Sequence, residues 1–318
     1  MDEDTELLKQ LVNIHSETGG TEQAVEFLRS WAVEKQMEAE VDRGAFIVNP
    51  KSDDLLILGH IDTVPGELPV RIEDGNLWGR GSVDAKGPLL AALIALSGCP
   101  QYRKKVRLMA VPDEEEGSET AKWIREDFSP SPTVILEPGG WEGITISYQG
   151  RMLLKAWTES APSHSGAESR FAVESLMDGI QKIRKKTGAR ILKFNGNIRK
   201  AEATLDIRYT DKPELPQFSE EIDLEIIEDT PPARSEKNTK LVRTFISSIR
   251  KNGGKPVFKR KTGTSDMNII SEKWNVPILA YGPGDSRLDH TDEEHISLDE
   301  FKKSIGVWLT FFKDYFEK

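Results

Sequence analysis

The feature that most limits the fold of this chain is a set of four short, predominantly apolar runs without polar alternation: Leu55–Leu58, Val106–Val111, Val134–Leu136 and Pro277–Tyr281. Strands that are buried on both faces have this pattern, which is typical of a largely parallel sheet covered by helices. Segments with helical spacing surround the runs, at 5–14, 21–32, 88–97, 118–127, 236–251 and from residue 298 onward. We therefore predict an α/β fold with a mixed, largely parallel sheet flanked by helices.

The pattern changes between residues 148 and 229, where a strand, a helix, two strands, a short polar helix at Pro213–Glu221 and a last strand are predicted. Within this segment, Ala201–Tyr209 alternates strictly between apolar and polar residues, which indicates a sheet covered on one face and open on the other. The segment is therefore predicted to be an inserted α+β domain of ferredoxin-like type. The predicted main domain comprises residues 1–147 and 230–318, and the insertion comprises 148–229.

Acidic and imidazole side chains directly follow three of the apolar runs. His60 and Asp62 come after the first run, Asp113–Gly117 after the second, and Glu137 after the third. Ligands of open α/β sheets bind outside the carboxyl ends of the strands, so these side chains are expected to meet at one sheet edge. The spacing His60-x-Asp62 also puts a carboxylate on the same side of an extended segment as the imidazole, where it can orient the ring.

A larger set of acidic and imidazole residues forms the candidate site: His60, Asp62, Asp84, Glu114, Glu115, Glu137 and His290. Taken singly, each has an ordinary explanation, such as a structural histidine or a solvated acidic turn. Carboxylates that are crowded together repel one another and are costly to desolvate, so a cluster this acidic needs cations. Imidazole and carboxylate ligands suit zinc and neighbouring divalent metals, and the cluster therefore indicates a metal site.

Six segments of the chain occur together in a recognisable order: Gly59–Pro65 (GHIDTVP), Trp78–Gly87 (WGRGSVDAKG), Pro112–Gly117 (PDEEEG), Glu137–Pro138, Gly263–Asp266 (GTSD) and His290. In this order they resemble the di-zinc amidohydrolase family, which contains acetylornithine deacetylase, succinyl-diaminopimelate desuccinylase and carboxypeptidase G. The resemblance runs through nearly the whole chain, and it is more specific than any single short motif.

The resemblance implies a catalytic domain that holds two divalent metal ions, zinc or alternatively cobalt. In the family pattern Asp84 bridges the two ions, and the other ligands lie in pairs, His60 with Glu137 and Glu115 with His290. A bridging carboxylate and a shared hydroxide hold two such ions about 3.5–4 Å apart.

Two further residues compete for positions in this metal site. Glu116 is the alternative to Glu115, although anchoring the acidic turn on its flanking residues favours Glu115. His295 is the alternative to His290, although the family's terminal pattern of a histidine followed four residues later by a glutamate fits His290 and Glu294.

The resemblance also implies a role for Glu114 as the general base. It would take a proton from a metal-activated water and return that proton to the leaving amine. Asp62 would be the orienting carboxylate, and the peptide between Asp84 and Ala85 is expected to be cis.

The insertion resembles the family's lid domain, which also carries the dimer contact in that family. His164 matches the lid histidine that stabilises the oxyanion, in its own subunit or in the opposite one. Arg208 lies on the open face of the alternating strand and matches an arginine that binds a substrate carboxylate. By the same resemblance, the substrate-binding residues are Arg208, Asn195 (with Asn197 as its alternative), Gly263, Thr264 and Ser265. A homodimer through the lid is implied, although the short segment available for the second lid helix departs from the family pattern.

Charge and hydropathy exclude several partners. The chain has 43 Lys and Arg residues against 53 Asp and Glu residues, a net charge of −10, which argues against nucleic acid and anionic membranes as partners. Its longest apolar runs are shorter than the ~18 residues that a membrane span requires. The acidic N-terminus lacks a secretory signal pattern and Cys99 is the sole cysteine, so we expect a cytoplasmic protein.

Within the family, the wording of the motifs most resembles hydrolases that release lysine or ornithine from an amino-group carrier protein. These enzymes cleave the amide at the γ-carboxyl of the C-terminal glutamate of that small acidic carrier, the last step of carrier-based lysine or arginine synthesis. The chain also has eight basic residues between positions 181 and 200, which can steer an acidic protein partner. A solvated helix face has the same composition, so this pattern has a purely structural interpretation as well.

Two other functions remain open at this point. The first is a small-molecule N-acyl amino acid deacylase, such as an acetylornithine deacetylase or a succinyl-diaminopimelate desuccinylase, or else a dipeptidase or carboxypeptidase. The second is a metal-loaded binding module without turnover. Sequence alone does not discriminate lysine from ornithine, because one methylene is worth only about 1–3 kcal/mol.

Overall fold

A computed structural model describes residues 2–161, 171–216 and 222–317 of the chain. The chain divides into two compact units. Unit 1 comprises Met1–Ser147, Arg234–Arg260 and Ser265–Lys318, and unit 2 comprises Tyr148–Ala233 and Lys261–Thr264. Each unit has its own apolar core.

The helices in the described residues are, in chain order, α1 (Glu3–Val12), α2 (Glu22–Glu34), α3 (Lys86–Ser97), α4 (Glu119–Asp127), α5 (Ala172–Thr187), α6 (Lys240–Lys251), α7 (Asp266–Ser271) and α8 (Leu298–Glu317), with a 3₁₀ turn at Arg103–Lys105. Helix α3 is buried from Lys86 to Leu96, which explains why its sequence is apolar on all sides. No helix among these is both long and apolar enough to cross a membrane.

The strands in the described residues are β1 (Ala39–Asp42), β2 (Ala45–Val48), β3 (Leu55–His60), β4 (Arg71–Glu73), β5 (Asn76–Trp78), β6 (Val106–Val111), β7 (Thr133–Ile135), β8 (Gly143–Tyr148), β9 (Gly150–Glu159), β10 (Arg190–Gly196), β11 (Lys200–Tyr209), β12 (Asp223–Thr230), β13 (Ala233–Arg234), β14 (Val257–Lys261), β15 (Ile278–Ala280) and β16 (His295–Ser297).

The sheet of unit 1 has the order β1-β2-β6-β3-β7-β15-β8 from one edge. Its four central strands, β6, β3, β7 and β15, are mutually parallel and correspond to the four apolar runs. Strands β1, β2 and β8 pair antiparallel to their neighbours. The prediction of a mixed, largely parallel sheet flanked by helices is confirmed. A smaller antiparallel sheet, β4-β5-β16, places the segment after Trp78 beside the segment before His295.

Unit 2 contains an antiparallel sheet in the order β10-β11-β9-β12. Helix α5 covers one face of this sheet, and its residues Leu176 and Ile180 share a buried cluster with Ala203, Leu205 and Ile207 of β11. The alternation in β11 therefore separates a covered face from an open one, as predicted.

The short helix predicted at Pro213–Glu221 differs from the structure. Residues 212–216 have no regular secondary structure, and residues 217–221 lie outside the described part. Pro216 accounts for the irregular backbone of the described part, because a proline disfavours helical dihedrals in the residue that precedes it, here Leu215.

Candidate active site

His60 is the last residue of β3, at the carboxyl end of a central parallel strand, and its ring is buried. The Nδ1 atom lies 2.9 Å from the backbone carbonyl oxygen of Asp62, which can only accept a hydrogen bond. In the neutral ring the proton is therefore on Nδ1, and the Nε2 lone pair faces Asp84, whose Oδ1 atom lies 3.3 Å away. This is the orientation of a metal-binding imidazole.

His290 contacts two carboxylates of the same cluster. Its Nε2 atom lies 3.1 Å from Oδ2 of Asp84 and 3.1 Å from Oε1 of Glu115. Asp84 therefore faces a different imidazole with each of its two oxygens. One ligand atom each from His60, Asp84 and Glu115 all lie within 4.8 Å of one another. The peptide between Asp84 and Ala85 is cis, as the resemblance implied.

The charges in this cluster stabilise one another. Hydrogen bonds to Asp84 and Glu115 raise the pKa of His290 to about 10. Burial alone would raise the pKa of Asp84, but hydrogen bonds from His290 and His60 outweigh burial and lower it. Positive charge is therefore favourable between these carboxylates. Imidazole nitrogen and carboxylate oxygen are the donors that zinc and similar divalent ions take in proteins, so the residues present fit such a metal centre.

Glu114 lies on the turn that follows β6, next to Glu115. Burial raises the pKa of Glu114 well above its ordinary value, and the carboxylates of Glu137, Asp266 and Glu115 raise it further, against the opposing effect of His60. Glu137 follows β7 and is itself buried. A carboxyl group with a raised pKa that lies beside metal-ligand candidates is suited to accept and hold a proton.

The alternative residues Glu116 and His295 lie outside the group His60, Asp84 and Glu115. Glu116 is exposed. The His295 ring stacks on Trp78 with the ring centroids 4.2 Å apart, and its Nδ1 atom lies 2.6 Å from the carbonyl oxygen of Glu293.

Asp62 joins three parts of the site, and its side chain is fully buried. Its carboxylate accepts hydrogen bonds from the backbone N–H groups of Glu114 (3.2 Å) and Glu115 (3.1 Å). It also accepts a hydrogen bond from the hydroxyl of Thr18 at 2.8 Å. Asp62 therefore positions the turn that carries Glu114 and Glu115, besides contacting His60. Sequence reasoning missed Thr18, which stands in no motif and meets Asp62 only through the tertiary fold.

Ser265 and Asp266 begin helix α7. The Ser265 hydroxyl accepts a hydrogen bond from the Met267 amide at 3.2 Å, so this predicted substrate-binding side chain serves as a helix cap. Burial raises the pKa of Asp266 to about 7; His60 opposes the shift, and Asp62 adds to it. Asp266 is thus a buried carboxyl group near the site that received no role from the sequence, although it stands in the GTSD segment.

Arg208 lies on β11 in unit 2. Its Nε atom donates to Oδ2 of Asp206 at 3.0 Å, and its Nη1 atom lies 3.5 Å from the hydroxyl of Thr264. The other oxygen of Asp206 accepts from Nε of Arg151 at 2.9 Å. Asp206 therefore fixes the Nε edge of Arg208, while the Nη atoms form the edge that binds carboxylates in bidentate pairs. Gly263 precedes Thr264, and the space around its Cα is open.

Asn195 and its alternative Asn197 lie at the end of β10. Asn195 pairs with Glu202 and lines a cavity of about 320 Å³ together with Lys155 and Trp157. The Asn197 side chain instead accepts hydrogen bonds from two backbone amides of the β10–β11 turn, at 2.8 and 3.1 Å. The predicted lid histidine, His164, lies outside the described residues.

Residues 56–314 match the peptidase family M20/M25/M40. The chain belongs to this family. The predicted membership in a family of metal-dependent hydrolases is thereby confirmed, while the identity of the metal and the role of each site residue remain predictions.

Curated relatives in this family carry a narrower name. The chain is 35% identical to the LysW-lysine hydrolase of Deinococcus radiodurans, across 95% of this chain and 94% of the relative. It is 29% identical to the LysW-lysine/LysW-ornithine hydrolase of Saccharolobus islandicus, across 98% of this chain and 96% of the relative.

Solved structures with the same fold are more distant in sequence. An M20 family metallo-carboxypeptidase from Sulfolobus solfataricus superposes with a TM-score of 0.78 at 18% identity, covering 99% of both chains. A tripeptidase from Staphylococcus aureus superposes with a TM-score of 0.80 at 16% identity, covering 99% of this chain and 98% of that one. These structures share the fold of this M20 family member.

Proposed function

We propose that this M20 family protein hydrolyses the amide bond that joins lysine or ornithine to the γ-carboxyl of the C-terminal glutamate of an acidic amino-group carrier protein. The observation that carries the chemistry is the arrangement around Asp84, which faces His60 with one oxygen and His290 with the other. The names of the relatives from Deinococcus radiodurans and Saccharolobus islandicus support the substrate.

Two divalent ions, for which we propose zinc, would be held by five ligands: His60, Asp84, Glu115, Glu137 and His290. When bound, the ions would lower the pKa of a water molecule and polarise the amide carbonyl. Glu114 accepts a proton from the attacking water as the new C–O bond forms. It then delivers that proton to the nitrogen as the C–N bond breaks, and the second proton of the water passes to the same amine, so that the products are the ammonium form of the amino acid and the carboxylate of the carrier.

Several residues would hold the substrate rather than take part in proton transfer. The Nη edge of Arg208 would bind the carboxylate of the amino acid, supported by Asp206 at its Nε edge. Asn195, at the end of β10, would bind the substrate through its side-chain amide. The substrate position would be lined by Gly263, Thr264 and Ser265. His164 would stabilise the oxyanion, as the family resemblance implies.

The basic residues of positions 181–200 would attract the carrier. This set, which we call the basic surface, consists of Lys182, Arg184, Lys185, Lys186, Arg190, Lys193, Arg199 and Lys200, and every member is exposed. Two of its members form exposed ion pairs, Lys200 with Glu159 at 2.7 Å and Lys186 with Glu214 at 3.5 Å, and exposed pairs of this kind contribute little to stability. Exposed charges of one sign increase the rate at which an oppositely charged protein associates.

A steady-state comparison of three substrates tests the proposal: carrier-lysine, carrier-ornithine and N-acetylornithine, each with zinc or cobalt supplied. We expect release of lysine or ornithine from the carrier at a much higher kcat/KM than release of acetate. Efficient cleavage of N-acetylornithine without any release from the loaded carrier would contradict the proposal and favour a small-molecule deacylase.

Two further proposals concern the state of the protein in the cell. We propose a homodimer through residues 148–229 and a cytoplasmic location. Analytical ultracentrifugation tests the first, with a monomer as the contradicting result, and fractionation of the host cells tests the second.

A further inference from the structure

We propose that Arg80 and Glu294 form a positioning pair that holds the segment of Asp84 and the segment of His290 at the separation needed for metal binding. The proposal rests on the proposed function, because it assigns these residues a task in the same metal centre. Neither residue is a predicted metal ligand, and the family's terminal motif assigns Glu294 no task beyond its position four residues after His290.

Glu294 is buried, with 1% of its surface exposed to solvent. One carboxylate oxygen, Oε1, accepts hydrogen bonds from the backbone N–H groups of Val83 at 3.1 Å and of Asp84 at 3.3 Å. The other oxygen, Oε2, accepts from Nη1 of Arg80 at 2.9 Å. Glu294 is thus bonded to the backbone of the very residue whose side chain faces both imidazoles.

Arg80 binds the backbone of the segment that follows His290. Its Nη1 atom also donates to the carbonyl oxygen of Thr291, the residue after His290, at 3.1 Å. Its Nε atom donates to the carbonyl oxygen of Gly66 at 3.0 Å. The pair therefore links the Asp84 turn to the segment that follows His290, at Thr291 and at Glu294.

The backbone of His290 explains why such support is needed. Its φ angle is +61°, in the left-handed region that residues with a Cβ atom rarely adopt. A strained residue of this kind persists only where its surroundings hold it, and this is common at functional sites. The antiparallel pairing of β16 with β5 fixes the chain after the loop, and the bond from Arg80 to Thr291 fixes the loop itself.

Loss of such outer contacts weakens metal binding by about 10- to 100-fold in metalloproteins. We therefore expect Glu294→Gln to bind the divalent ions about 10- to 100-fold more weakly, and at least one of them with altered coordination. Calorimetric titration of the metal-free full chain with zinc measures the affinity and the stoichiometry. The visible absorption of the cobalt-loaded protein reports the coordination geometry.

Glu293→Gln is the matched control, because it removes the same charge from the exposed neighbouring residue. It should leave the zinc titration and the cobalt spectrum unchanged. Arg80→Lys is the milder second variant, since lysine keeps the charge but not the fork of donors that reaches Gly66, Thr291 and Glu294. It should show the same change in the cobalt spectrum with a smaller loss of affinity.

A double variant, Arg80→Met with Glu294→Gln, distinguishes positioning from general stabilisation. Removing both charges avoids leaving one of them buried and unpaired, so thermal stability should recover relative to Glu294→Gln alone. Zinc affinity should stay low, because the bonds to Val83, Asp84 and Thr291 are weakened or lost. Recovery of zinc affinity together with stability would overturn the proposal.

Wild-type zinc affinity and an unchanged cobalt spectrum in Glu294→Gln would also overturn it. If Glu294→Gln does not fold, Arg80→Lys decides by the same two measurements. These measurements use no carrier substrate. Failure of the proposed function would therefore appear as a wild-type protein that binds metal normally and does not cleave carrier-lysine.

Discussion

The charged residues of the two units are held in opposite ways. In unit 1, His60, Asp62 and Glu294 are buried, and neighbouring backbone groups hold each of them by hydrogen bonds. In unit 2, the basic surface is exposed, and its pairs with acids lie in solvent. Buried charges are stable only with fixed partners, whereas exposed charges are screened by water and salt. The first arrangement suits chemistry at defined distances, and the second suits the attraction of a partner.

The largest effect is expected in the buried cluster, from Glu114→Gln. The amide is nearly isosteric with the carboxylate but cannot accept a proton, so kcat/KM on carrier-lysine should fall by about 10²–10⁴-fold. Zinc content, measured by elemental analysis, should not change, because Glu114 is not a predicted ligand. The control is Glu116→Gln on the exposed neighbour, which should keep wild-type activity. Wild-type turnover by Glu114→Gln would remove Glu114 from the role of base.

The next effect is expected on the open face of unit 2, from Arg208→Met. A hydrogen bond to a charged group is worth about 1.5–3 kcal/mol, which corresponds to a rise in KM of about 10- to 150-fold with little change in kcat. Initial rates over a range of carrier-lysine concentrations measure both constants. Lys212→Met serves as the control, because it removes a cation from the exposed end of the same unit. An unchanged KM in Arg208→Met would show that this arginine does not bind the substrate.

A smaller effect is expected on the basic surface, from the double charge reversal Lys185→Glu with Lys186→Glu. At low salt, kcat/KM for the carrier should fall by about 10-fold, because attraction of the acidic partner is weakened. The difference from wild type should shrink at high salt, and cleavage of N-acetylornithine should not change. Reversal of Lys104 and Lys105 in unit 1 changes the net charge equally and is the matched control. Equal losses in both double variants would indicate a general charge effect without a docking surface.

The smallest effect concerns the stability of unit 2 at low pH. Burial would raise the pKa of Asp206, but hydrogen bonds from Arg151 and Arg208 lower it below its ordinary value of 3.8. A lowered pKa in the folded chain means that the ionised carboxylate stabilises the fold above pH 3.8, and that this stabilisation is lost as the pH falls through the folded-state pKa.

Asp206→Asn should therefore lower the free energy of unfolding by about 1 kcal/mol at neutral pH, and the difference from wild type should diminish in acid. Urea unfolding at a series of pH values measures this difference in the free energy of unfolding. Asp211→Asn in the following loop, a group with high exposure, is the control. A difference that stays constant down to low pH would contradict the assignment to the ionised Asp206.

Much of the fold could be predicted because it follows from local patterns. The apolar runs at 55–58 and 106–111 became the adjacent parallel strands β3 and β6, and the alternation in Ala201–Tyr209 became a strand with one covered face. The described residues 213–216 show where such patterns fail, because a polar helix was predicted there while Pro216 disfavours helical dihedrals at Leu215. A sequence pattern that is typical of a helix does not produce one where the backbone cannot adopt helical φ and ψ angles.

The candidate site also contains residues that the sequence predicts and a residue that it does not. His60 and Glu115 were identified from residue type and from their positions after the strands, and Asp84 and His290 from the order of the motifs. The structure brings the four side chains together. Thr18 could not be identified, since its hydroxyl meets Asp62 across 44 positions of sequence and no pattern marks it.

The sequence by itself determined the chemical groups available, the strands that carry them and the family to which the chain belongs, because periodicity and motif order are local properties. Only the tertiary structure decided which atoms face each other: Asp84 between two imidazoles, Asp62 on the amides of Glu114 and Glu115, and Arg80 on Glu294 across 214 positions. These contacts arise when the sheet and its loops pack, since packing sets distances between residues that are remote in the chain. The positions of the metal-ligand candidates therefore depend on the complete fold of unit 1.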